Sequence, residues 1–277
     1  MKKKSVTLLS TLALIFLAVL SACSTQSQNQ SDGKTVIKVA TDSDTAPFTY
    51  KDGKTYKGYD IDVVKAIFKD SKDYQVEFVT TPFDSILTGI DAGRYQIAAN
   101  DFNYNEQRAQ KYLFSDPISR SNAAIVSQKG TQYSSLDDLS GKSTEVISGT
   151  NYAQILEKWN TDHPDKTPIQ INYVSSSTGV TTRVQRVENG NIDFILYDAI
   201  SAEYIAKDQG FDVTVTKLSD QVGDKTDGLE YLVFADTKEG KELQSFVNKR
   251  LKTLKKDGTL ASLSETYFGG DYVLGLD

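Results

Sequence analysis

The amino-acid sequence predicts an α/β protein built from two lobes of similar size. Three observations indicate this class: short apolar runs alternate with amphipathic helical patterns, the alternation forms two successive series, and Pro and Gly residues separate the segments. The length of 277 residues accommodates two such units, since domains commonly hold about 100–200 residues.

The first series alternates runs of strand length with segments whose apolar residues recur at helical spacing, such as Ile61, Val64 and Ile67. The predicted strands are Val36–Ala40, Val76–Val79, Tyr95–Ala99 and Ala123–Ser127. The predicted helices are Asp60–Lys69, Phe83–Ala92 and Asn105–Tyr112.

The second series begins near Gln128, and Ser135 opens it as the N-cap of a short helix ending at Leu139. The further strands predicted are Thr144–Ser148, Ile169–Val174, Ile192–Leu196, Phe211–Thr216 and Leu229–Phe234. The further helices predicted are Tyr152–Asn160, Thr178–Glu188, Ala199–Asp208, Lys241–Lys256 and Leu260–Tyr267.

The composition excludes several kinds of site. Cys23 and His163 are the only residues of their types, which excludes a disulfide within the chain, a Cys-rich zinc or iron–sulfur site and a three-His metal site. His163 lies in a polar Thr-Asp-His-Pro-Asp-Lys stretch, which favours a surface residue over a catalytic one. No segment matches the twelve-residue calcium loop. We therefore expect no metal and no cofactor.

Residues 1–22 have the pattern of a secretory signal peptide, with three lysines followed by an apolar run from Val6 to Leu20. The run is shorter than the roughly 20 residues of a comfortable transmembrane helix; a plain amino-terminal anchor helix is the alternative. Leu-Ser-Ala-Cys, ending at Cys23, resembles a bacterial lipobox. That resemblance implies cleavage before Cys23 and lipidation of its thiol, for example with palmitate.

Residues 23–33 are predicted to form a flexible tether, because Ser24 to Gly33 contains no apolar residue that could repay the cost of ordering. Without residues 1–22 the formal charge is 28 − 37 = −9, since three lysines are lost. This acidic balance argues against a nucleic-acid partner and against a basic contact with anionic lipid. A lipid on Cys23 would hold the protein at the outer face of the bacterial cytoplasmic membrane.

The first candidate site is the polar run from Asn100 to Arg108, which follows an apolar strand and leads into a helix. Ligands bind at such junctions in open α/β folds, because free N–H groups and the helix dipole favour anions. The planar guanidinium of Arg108 suits a carboxylate. The alternative is a surface arginine paired with Glu106 or Asp116.

Two further strand-to-helix junctions lie in the second series. Asp198 follows an apolar strand, where it is either a helix N-cap or the partner of a ligand ammonium group. The turn at Gly149, Thr150 and Asn151 is rich in small donors, although such a turn is weak support by itself.

Six groups of motifs occur in one order along nearly all of the mature chain. They are Ala46–Phe48 with Gly58–Asp62, Leu87–Tyr95, Glu106–Arg108 with Phe114–Pro117, Ser135–Lys142, Asp257–Leu260, and Tyr267–Gly269. In this order they resemble the polar amino-acid substrate-binding proteins of ABC importers, in the periplasmic-binding-protein type II family.

The resemblance implies the periplasmic-binding-protein type II fold, with two α/β lobes, two crossings and a ligand cleft between the lobes that closes about a hinge. Lobe 1 would comprise residues 34–122 and 228–277, and lobe 2 residues 123–227. The protein would be a monomer that captures a free amino acid outside the cytoplasm. It would deliver that ligand to an ABC transporter permease and its ATPase.

The resemblance also assigns roles to residues. Arg108 falls on the arginine that binds the ligand carboxylate, and Asp198 on the acid that receives the α-ammonium group. The other positions carried over are Asn103, Asp101 and Asn100 beside the carboxylate, Thr150 and Asn151 in the lobe-2 turn, and Phe83 on the wall of the side-chain pocket.

The chain departs from the family pattern at two positions. Thr45 stands where relatives commonly carry an aromatic lid, and Asn105 stands where they carry Thr. The first departure puts stacking on that wall in doubt. An aromatic wall would instead come from Tyr152, Tyr197, Phe83 or Phe102.

Cystine is the leading ligand, because the run from Asn100 to Ser115 looks most like the branch associated with cystine. Asp101 would also suit a second ammonium group or a cationic side chain, so a cationic or other polar amino acid is the alternative. A cleft enzyme of the dehydratase type is less favoured, since nothing indicates an activated nucleophile or base. A membrane-fused sensor domain is disfavoured, because no second long apolar run exists.

Overall fold

The computed structural model describes residues 30–276, apart from residues 32, 219–225 and 227. The predicted signal peptide, Cys23 and most of the predicted tether therefore lie outside the described residues. At the end of that tether, Gln30–Ser31 forms a short strand instead of a free segment, because it pairs antiparallel with Lys34 and Thr35.

Strands and helices alternate along the described chain. The strands are β1 (Gln30–Ser31), β2 (Lys34–Thr41), β3 (Asp44–Thr45), β4 (Thr49–Asp52), β5 (Thr55–Lys57), β6 (Tyr74–Thr80), β7 (Ile97–Asn103), β8 (Tyr112–Phe114), β9 (Ser119–Arg120), β10 (Ala123–Gln128), β11 (Ser143–Ile147), β12 (Gln170–Val174), β13 (Phe194–Asp198), β14 (Val213–Lys217) and β15 (Leu229–Ala235). The helices are α1 (Tyr59–Phe68), α2 (Phe83–Asp91), α3 (Glu106–Ala109), α4 (Asn151–Asp162), α5 (Val180–Glu188), α6 (Ala199–Asp208), α7 (Lys238–Lys256) and α8 (Thr259–Phe268), with short 3-10 turns at Leu136–Leu139 and Ser176–Thr178.

Lobe 1 is built on the larger sheet, whose described strands follow the order β1-β2-β7-β15-β8, with β6 on β2 and β9 on β15. Buried side chains of α1, α7 and α8 pack on one face, among them Ile67, Val247 and Leu260. Ile86 and Ile90 of α2 pack on the other face. Covering both faces is what a sheet with parallel strands requires.

Lobe 2 is built on the sheet β12-β11-β13-β10-β14. Helix α4 covers one face through Leu156 and Trp159, and helices α5 and α6 cover the other through residues such as Val184 and Ile205. The two α/β lobes that the sequence predicts are therefore present. The residue bounds of the two lobes remain a prediction. The strands of each sheet fall within the range predicted for its lobe, apart from β1.

The long helix α7 illustrates how local sequence determines an element. Thr237 caps it by accepting a hydrogen bond from the Gly240 N–H at 3.0 Å. Leu243, Val247 and Leu251 are buried at a spacing of one helical turn, which places them on a single face. Lys255 and Lys256 lie in the last turn, where positive charge complements the helix dipole.

Two crossings connect the lobes, one between β9 and β10 and one between β14 and β15. They lie side by side, because the Ser121 N–H donates to the Gly228 carbonyl oxygen at 2.8 Å. A Cβ atom on Gly228 would stand 2.0 Å from the Ser121 carbonyl oxygen, and the φ angle of Gly228 is +78°. Only glycine fits such a close approach.

The structure departs from the predicted elements at three places that matter for the site. The helix predicted over Asn105–Tyr112 is shorter, since α3 spans only Glu106–Ala109 and Tyr112 begins strand β8. Strand β7 extends to Asn103, beyond the predicted end at Ala99, because it pairs with β15 along its carboxyl-terminal half. A small sheet of β3, β4 and β5, which the sequence did not predict, lies between β2 and α1.

Candidate ligand-binding cleft

A cavity of about 340 Å³ lies between the lobes, and both lobes contribute to its walls. This volume is in the range of sites for small ligands, roughly 300–1,000 Å³. The structure brings together on its walls all but two of the predicted site residues, namely Thr45, Phe83, Asn100, Asp101, Asn103, Arg108, Thr150, Asn151, Tyr152 and Tyr197. The exceptions are Asp198 and Phe102.

Arg108 lies in α3 and is 8% exposed. Its Nη1 donates to the Asn103 carbonyl oxygen at 2.9 Å, and its Nη2 donates to the Gly149 carbonyl oxygen of lobe 2 at 3.0 Å. The rings of Phe102 and Phe83 lie 5.2 Å and 5.9 Å from its guanidinium carbon. A guanidinium has five N–H donors, so donors remain for a ligand carboxylate.

Arg108 is charged at neutral pH even though burial lowers its pKa to about 10. The Asp101 carboxylate opposes that decrease. The surface ion pair with Glu106 or Asp116, which the sequence left open, is not formed among the described residues. The side chain instead points into the cleft.

Asp101 lies on a bulge of β7. The pairing with β15 shifts between Tyr231 and Val233, which leaves residues 99–101 opposite a single residue of the partner strand. The φ angle of Asp101 is +48°, an uncommon value for a residue with a Cβ. Its N–H donates to Asp60 Oδ2 at 2.9 Å. Bulges of this kind commonly redirect side chains at functional sites.

The electrostatic surroundings of Asp101 favour its neutral form. Burial is the main cause that raises its pKa well above the usual range, and the carboxylates of Asp198, Asp60 and Asp42 add to it. Arg108 acts in the opposite direction. Several carboxyl groups thus lie close together at this end of the cavity. A cationic ligand group placed there would have carboxyl partners.

Asn100 belongs to a network that the sequence predicts only in part. Its Oδ1 accepts hydrogen bonds from the Asp42 N–H at 2.7 Å and from the Thr41 and Thr49 hydroxyls. Its Nδ2 donates to Asp42 Oδ2 at 3.0 Å, and the Thr45 hydroxyl donates to the same oxygen at 2.8 Å. Thr45 thus orients the Asp42 carboxylate.

Asp198 ends β13 and caps α6, because its Oδ1 accepts the Ser201 N–H at 2.8 Å. Burial raises its pKa to about 6, although hydrogen bonds from Ser121 and from the N–H groups of Ser201 and Ile200 oppose that increase. The sequence left open whether Asp198 is a helix N-cap or the partner of a ligand ammonium group. It is the N-cap, and its charge also acts on Asp101 at the cavity wall.

The lobe-2 wall begins at the turn before α4. Thr150 caps that helix by accepting the Ala153 N–H at 3.3 Å, and its hydroxyl donates to the Ile147 carbonyl oxygen. Asn151 donates from Nδ2 to the Tyr104 carbonyl oxygen of lobe 1 at 2.8 Å. Together with the bond from Arg108 to Gly149, this contact bridges the mouth of the cleft.

Aromatic rings lie on both sides of the cavity. On the lobe-1 side Phe83 is on the wall, and the fully buried Phe102 stacks against it with the ring centroids 5.2 Å apart. Tyr152 and Tyr197 lie 5.4 Å apart on the lobe-2 side. These four residues are the ones that the sequence offered in place of the missing aromatic lid.

Three charged residues of the cavity wall were not predicted: Asp42, Asp44 and Arg183. Asp42 and Asp44 follow the end of β2, so the rule that ligands bind at the carboxyl ends of strands could have identified them. Arg183 lies inside α5, where the sequence shows only an amphipathic pattern.

His163 is not part of the cleft. It follows α4, is half-buried, and stacks on Trp159 with the ring centroids 4.6 Å apart. Its position is therefore less exposed than predicted, because the Trp159 ring covers one face.

Neither a metal site nor a membrane span is found in the described part of the chain. No group of three or more His, Cys, Asp or Glu residues there could hold a metal ion. No described helix is both long and apolar enough to cross a bilayer.

Residues 37–270 match the family model of the bacterial extracellular solute-binding proteins, family 3. The chain belongs to this family. The resemblance to amino-acid-binding proteins of ABC importers is thereby confirmed, and so is the interpretation as a binding protein instead of an enzyme. A cleft enzyme of the dehydratase type is correspondingly less favoured.

Named relatives span nearly the whole chain. The L-cystine-binding protein TcyA of Bacillus subtilis is 29% identical over 280 residues, which cover 95% of this chain and 97% of TcyA. A structure from work on glutathione import through GshT and the cystine ABC importer TcyBC of Streptococcus mutans is 36% identical. It covers 86% of this chain and 97% of its own, with a TM-score of 0.79.

A third relative is an ancestral arginine-binding protein solved with arginine bound. It is 27% identical, covers 84% of this chain and 98% of its own, and superposes with a TM-score of 0.72. These structures confirm the two-lobed α/β fold. The coarser expectation about location, an extracytoplasmic binding protein, has the support of the family.

Proposed function

We propose that this solute-binding protein captures cystine in the cleft between its lobes and presents it to the permease and ATPase of an ABC importer. The buried Arg108 guanidinium, which shares one cavity with the Asp101 carboxyl group, on which the buried Asp198 carboxylate acts, carries the proposal. An amino acid carries opposite charges on one carbon, and this arrangement offers a partner to each of them.

The ligand carboxylate binds the free donors of Arg108, with Asn103 and the lobe-2 turn at Thr150 completing the site. The ammonium group binds Asp101 on the cavity wall, and the buried Asp198 carboxylate behind it adds negative charge. Each charge-assisted hydrogen bond of this kind contributes about 1.5–3 kcal/mol. Because Arg108 already donates to Gly149 of lobe 2, binding at Arg108 favours the closed cleft.

Glutathione is a second candidate ligand. The structure from the GshT and TcyBC work has 36% identity, against 29% for the cystine-binding TcyA. Glutathione also carries an α-amino acid end, so the same Arg108 and Asp101 groups would hold it. Cystine remains the first choice, because its second ammonium group matches the additional carboxylates of Asp42 and Asp44 on the wall.

Calorimetric titration of the full-length protein in detergent against a panel of amino acids, cystine and glutathione tests the proposal. We expect one tight ligand, with affinity lowered at least about tenfold by Arg108→Ala. Arg94→Ala is the matched control, because Arg94 is exposed and lies outside the cavity. Unchanged binding by Arg108→Ala would contradict the assigned site.

We also propose that the protein is a monomer held at the membrane by lipid on Cys23. The lipobox sequence ending at Cys23 supports this anchor. Cys23→Ser should abolish labelling with radioactive palmitate and release the protein from the membrane fraction. A parent protein that takes up no palmitate would contradict the lipid anchor without affecting the ligand site.

A further inference from the structure

A second arginine faces the same cavity from the opposite lobe. Arg183 lies in α5 of lobe 2, is 4% exposed, and contributes to the cavity wall. Burial lowers its pKa, but a guanidinium retains its charge at neutral pH. The ring of Tyr197 lies 5.4 Å from its guanidinium carbon.

The contacts of Arg183 are few and long for a buried cation. Its Nε donates to the Gly179 carbonyl oxygen and its Nη1 to the Glu145 carbonyl oxygen, both at 3.4 Å. Among the described residues it forms no ion pair with a carboxylate. A buried cation without a hydrogen-bonded counter-charge is costly, so a further partner is expected.

The nearest carboxylate on its own lobe is already engaged. Arg186, one turn further along α5, donates from Nη1 to both Glu145 carboxylate oxygens, at 2.6 Å and 2.7 Å. Arg183 is therefore left with the backbone of Glu145. Asp44 of lobe 1 also acts on Arg183, but the Asp44 carboxylate accepts the Val180 N–H at the start of α5.

The cavity thus contains two guanidinium groups, Arg108 on lobe 1 and Arg183 on lobe 2, whereas a simple amino acid has one carboxylate. We propose that Arg183 binds a second carboxylate at the far end of the ligand, and that the protein selects dicarboxylate ligands of the cystine or glutathione kind. This inference rests on the proposed function, because Arg108 has to hold the first carboxylate.

The two arginines would also help to hold the cleft closed on a ligand. Arg108 and Arg183 belong to different lobes, so a ligand with a carboxylate at each end joins both lobes through charge-assisted hydrogen bonds. A ligand lacking the distal carboxylate leaves Arg183 buried without its partner. Discrimination against such a ligand arises mainly from that unpaired charge.

Matched pairs of ligands test the inference by calorimetry on the full-length protein in detergent. The first pair is cystine and the mixed disulfide of cysteine with cysteamine, which keeps both ammonium groups but lacks one carboxylate. The second pair is glutathione and its glycyl monoethyl ester. We expect the parent to bind the dicarboxylate member of at least one pair about tenfold or more tightly, and the pair that responds identifies the ligand.

Arg183→Gln should remove this discrimination by weakening the dicarboxylate ligand about tenfold or more while leaving its one-carboxylate counterpart nearly unchanged. Arg183→Lys should restore part of the preference. Arg94→Gln is the matched control, because Arg94 carries the same charge, is exposed and lies off the cavity wall without touching the partners of Arg183. Thermal unfolding of each ligand-free variant checks that the fold is retained.

Three outcomes overturn the inference. If Arg183→Gln prefers the dicarboxylate ligand as strongly as the parent does, the distal carboxylate is held elsewhere. Arg183→Gln that weakens both members of a pair equally assigns Arg183 a positioning role. A parent whose tightest ligand is an amino acid with one carboxylate, bound through Arg108, excludes the dicarboxylate class, cystine included, while preserving amino-acid binding at Arg108. The amino-acid site itself fails only if no amino acid or glutathione binds, or if Arg108→Ala has no effect.

Discussion

Asn105 and Asn151 meet across the mouth of the cleft, where Asn105 Nδ2 donates to Asn151 Oδ1 at 3.0 Å. Asn105 belongs to lobe 1 and Asn151 to lobe 2. The other end of the Asn105 amide caps α3, since its Oδ1 accepts the Arg108 N–H at 2.8 Å. The residue that stands in place of the family's Thr therefore positions the helix of Arg108 and also links the lobes.

Asn105→Ser should weaken the closed state without removing the helix cap. Serine is a good N-cap, but its side chain is too short to reach Asn151. Loss of one hydrogen bond, about 0.5–1.5 kcal/mol, should raise Kd roughly two- to tenfold. We expect this higher Kd to result from faster ligand dissociation, which stopped-flow fluorescence measures. Asn191→Ser, on an exposed turn, is the control, and equal dissociation rates in the two variants would exclude the link.

The elements of this site that the sequence predicts are those set by local signals. Arg108, Thr150 and Asp198 all lie where a strand ends or a helix begins, and such junctions are visible as changes in polarity and periodicity. The family resemblance then distinguishes a cleft arginine from a surface one.

The rest of the site depends on contacts between residues that are far apart in the sequence. The bulge that turns Asp101 toward the cavity depends on the register between β7 and β15, which no local pattern encodes. Arg183 was missed for a similar reason, because it lies beside the apolar residues Val180, Val184 and Val187 and only the folded structure shows that it is buried on the cavity wall. Burial of a polar residue is a tertiary property.

Ligand affinity should decrease as the pH falls through 6. Burial raises the pKa of Asp198 to about 6, so below that value the group is protonated and loses its attraction for an ammonium group. The fraction of charged Asp198 falls about tenfold per pH unit below its pKa, so Kd should be roughly tenfold higher at pH 5 than at pH 7.5.

Calorimetry over pH 5–8 tests this dependence, with Asp198→Asn as the comparison. Asparagine also caps helices, so α6 should persist. The variant should bind weakly at pH 7.5 and show little further change at lower pH. A parent Kd that stays constant between pH 8 and pH 5 would rule out an ionised Asp198 as the partner of the ammonium group.

Asp60→Asn should stabilise the protein at neutral and higher pH. Asp60 and Glu230 are both buried and lie within hydrogen-bonding distance of each other, yet neither Asp60 Oδ1 nor Glu230 Oε1 has a donor among the described residues. A proton shared between the two carboxyl groups would satisfy both atoms. Burial raises the pKa of Asp60 to about 6.

The sign follows from the direction of that shift. A carboxyl group whose folded pKa lies above its unfolded value of about 3.9 contributes stability that is complete below that value and lost as the pH rises through 6. Asparagine cannot ionise and still accepts the Asp101 N–H. The free energy of unfolding of Asp60→Asn minus that of the parent should therefore increase by on the order of 1–3 kcal/mol between pH 4.5 and pH 8.

Urea unfolding at the two pH values measures this difference. Asp70→Asn is the control, because Asp70 is exposed. If the parent and Asp60→Asn lose stability in parallel as the pH rises, the buried pair does not hold the shared proton.

Gly179→Ala should weaken ligand binding by disturbing a contact between the lobes. Gly179 precedes α5 with a φ angle of +63°, and a Cβ atom there would stand 2.0 Å from Asp44 Oδ2 of lobe 1. The Asp44 side chain would have to rotate away, which would break its hydrogen bond with the Val180 N–H. A charge-assisted hydrogen bond is worth about 1.5–3 kcal/mol, so Kd should rise about tenfold or more.

Gly210→Ala separates this contact from backbone strain. Gly210 has a similar φ angle of +75°, lies in the same lobe, and has no atom within 4 Å of the place that a Cβ atom would occupy. Its substitution also places a Cβ atom on a residue of positive φ, but without touching lobe 1. In an Asp44→Ala background the two glycine substitutions should have equal effects on Kd, because the contact is already absent. Equal effects in the parent background would show instead that Asp44 and Gly179 do not contribute to closure.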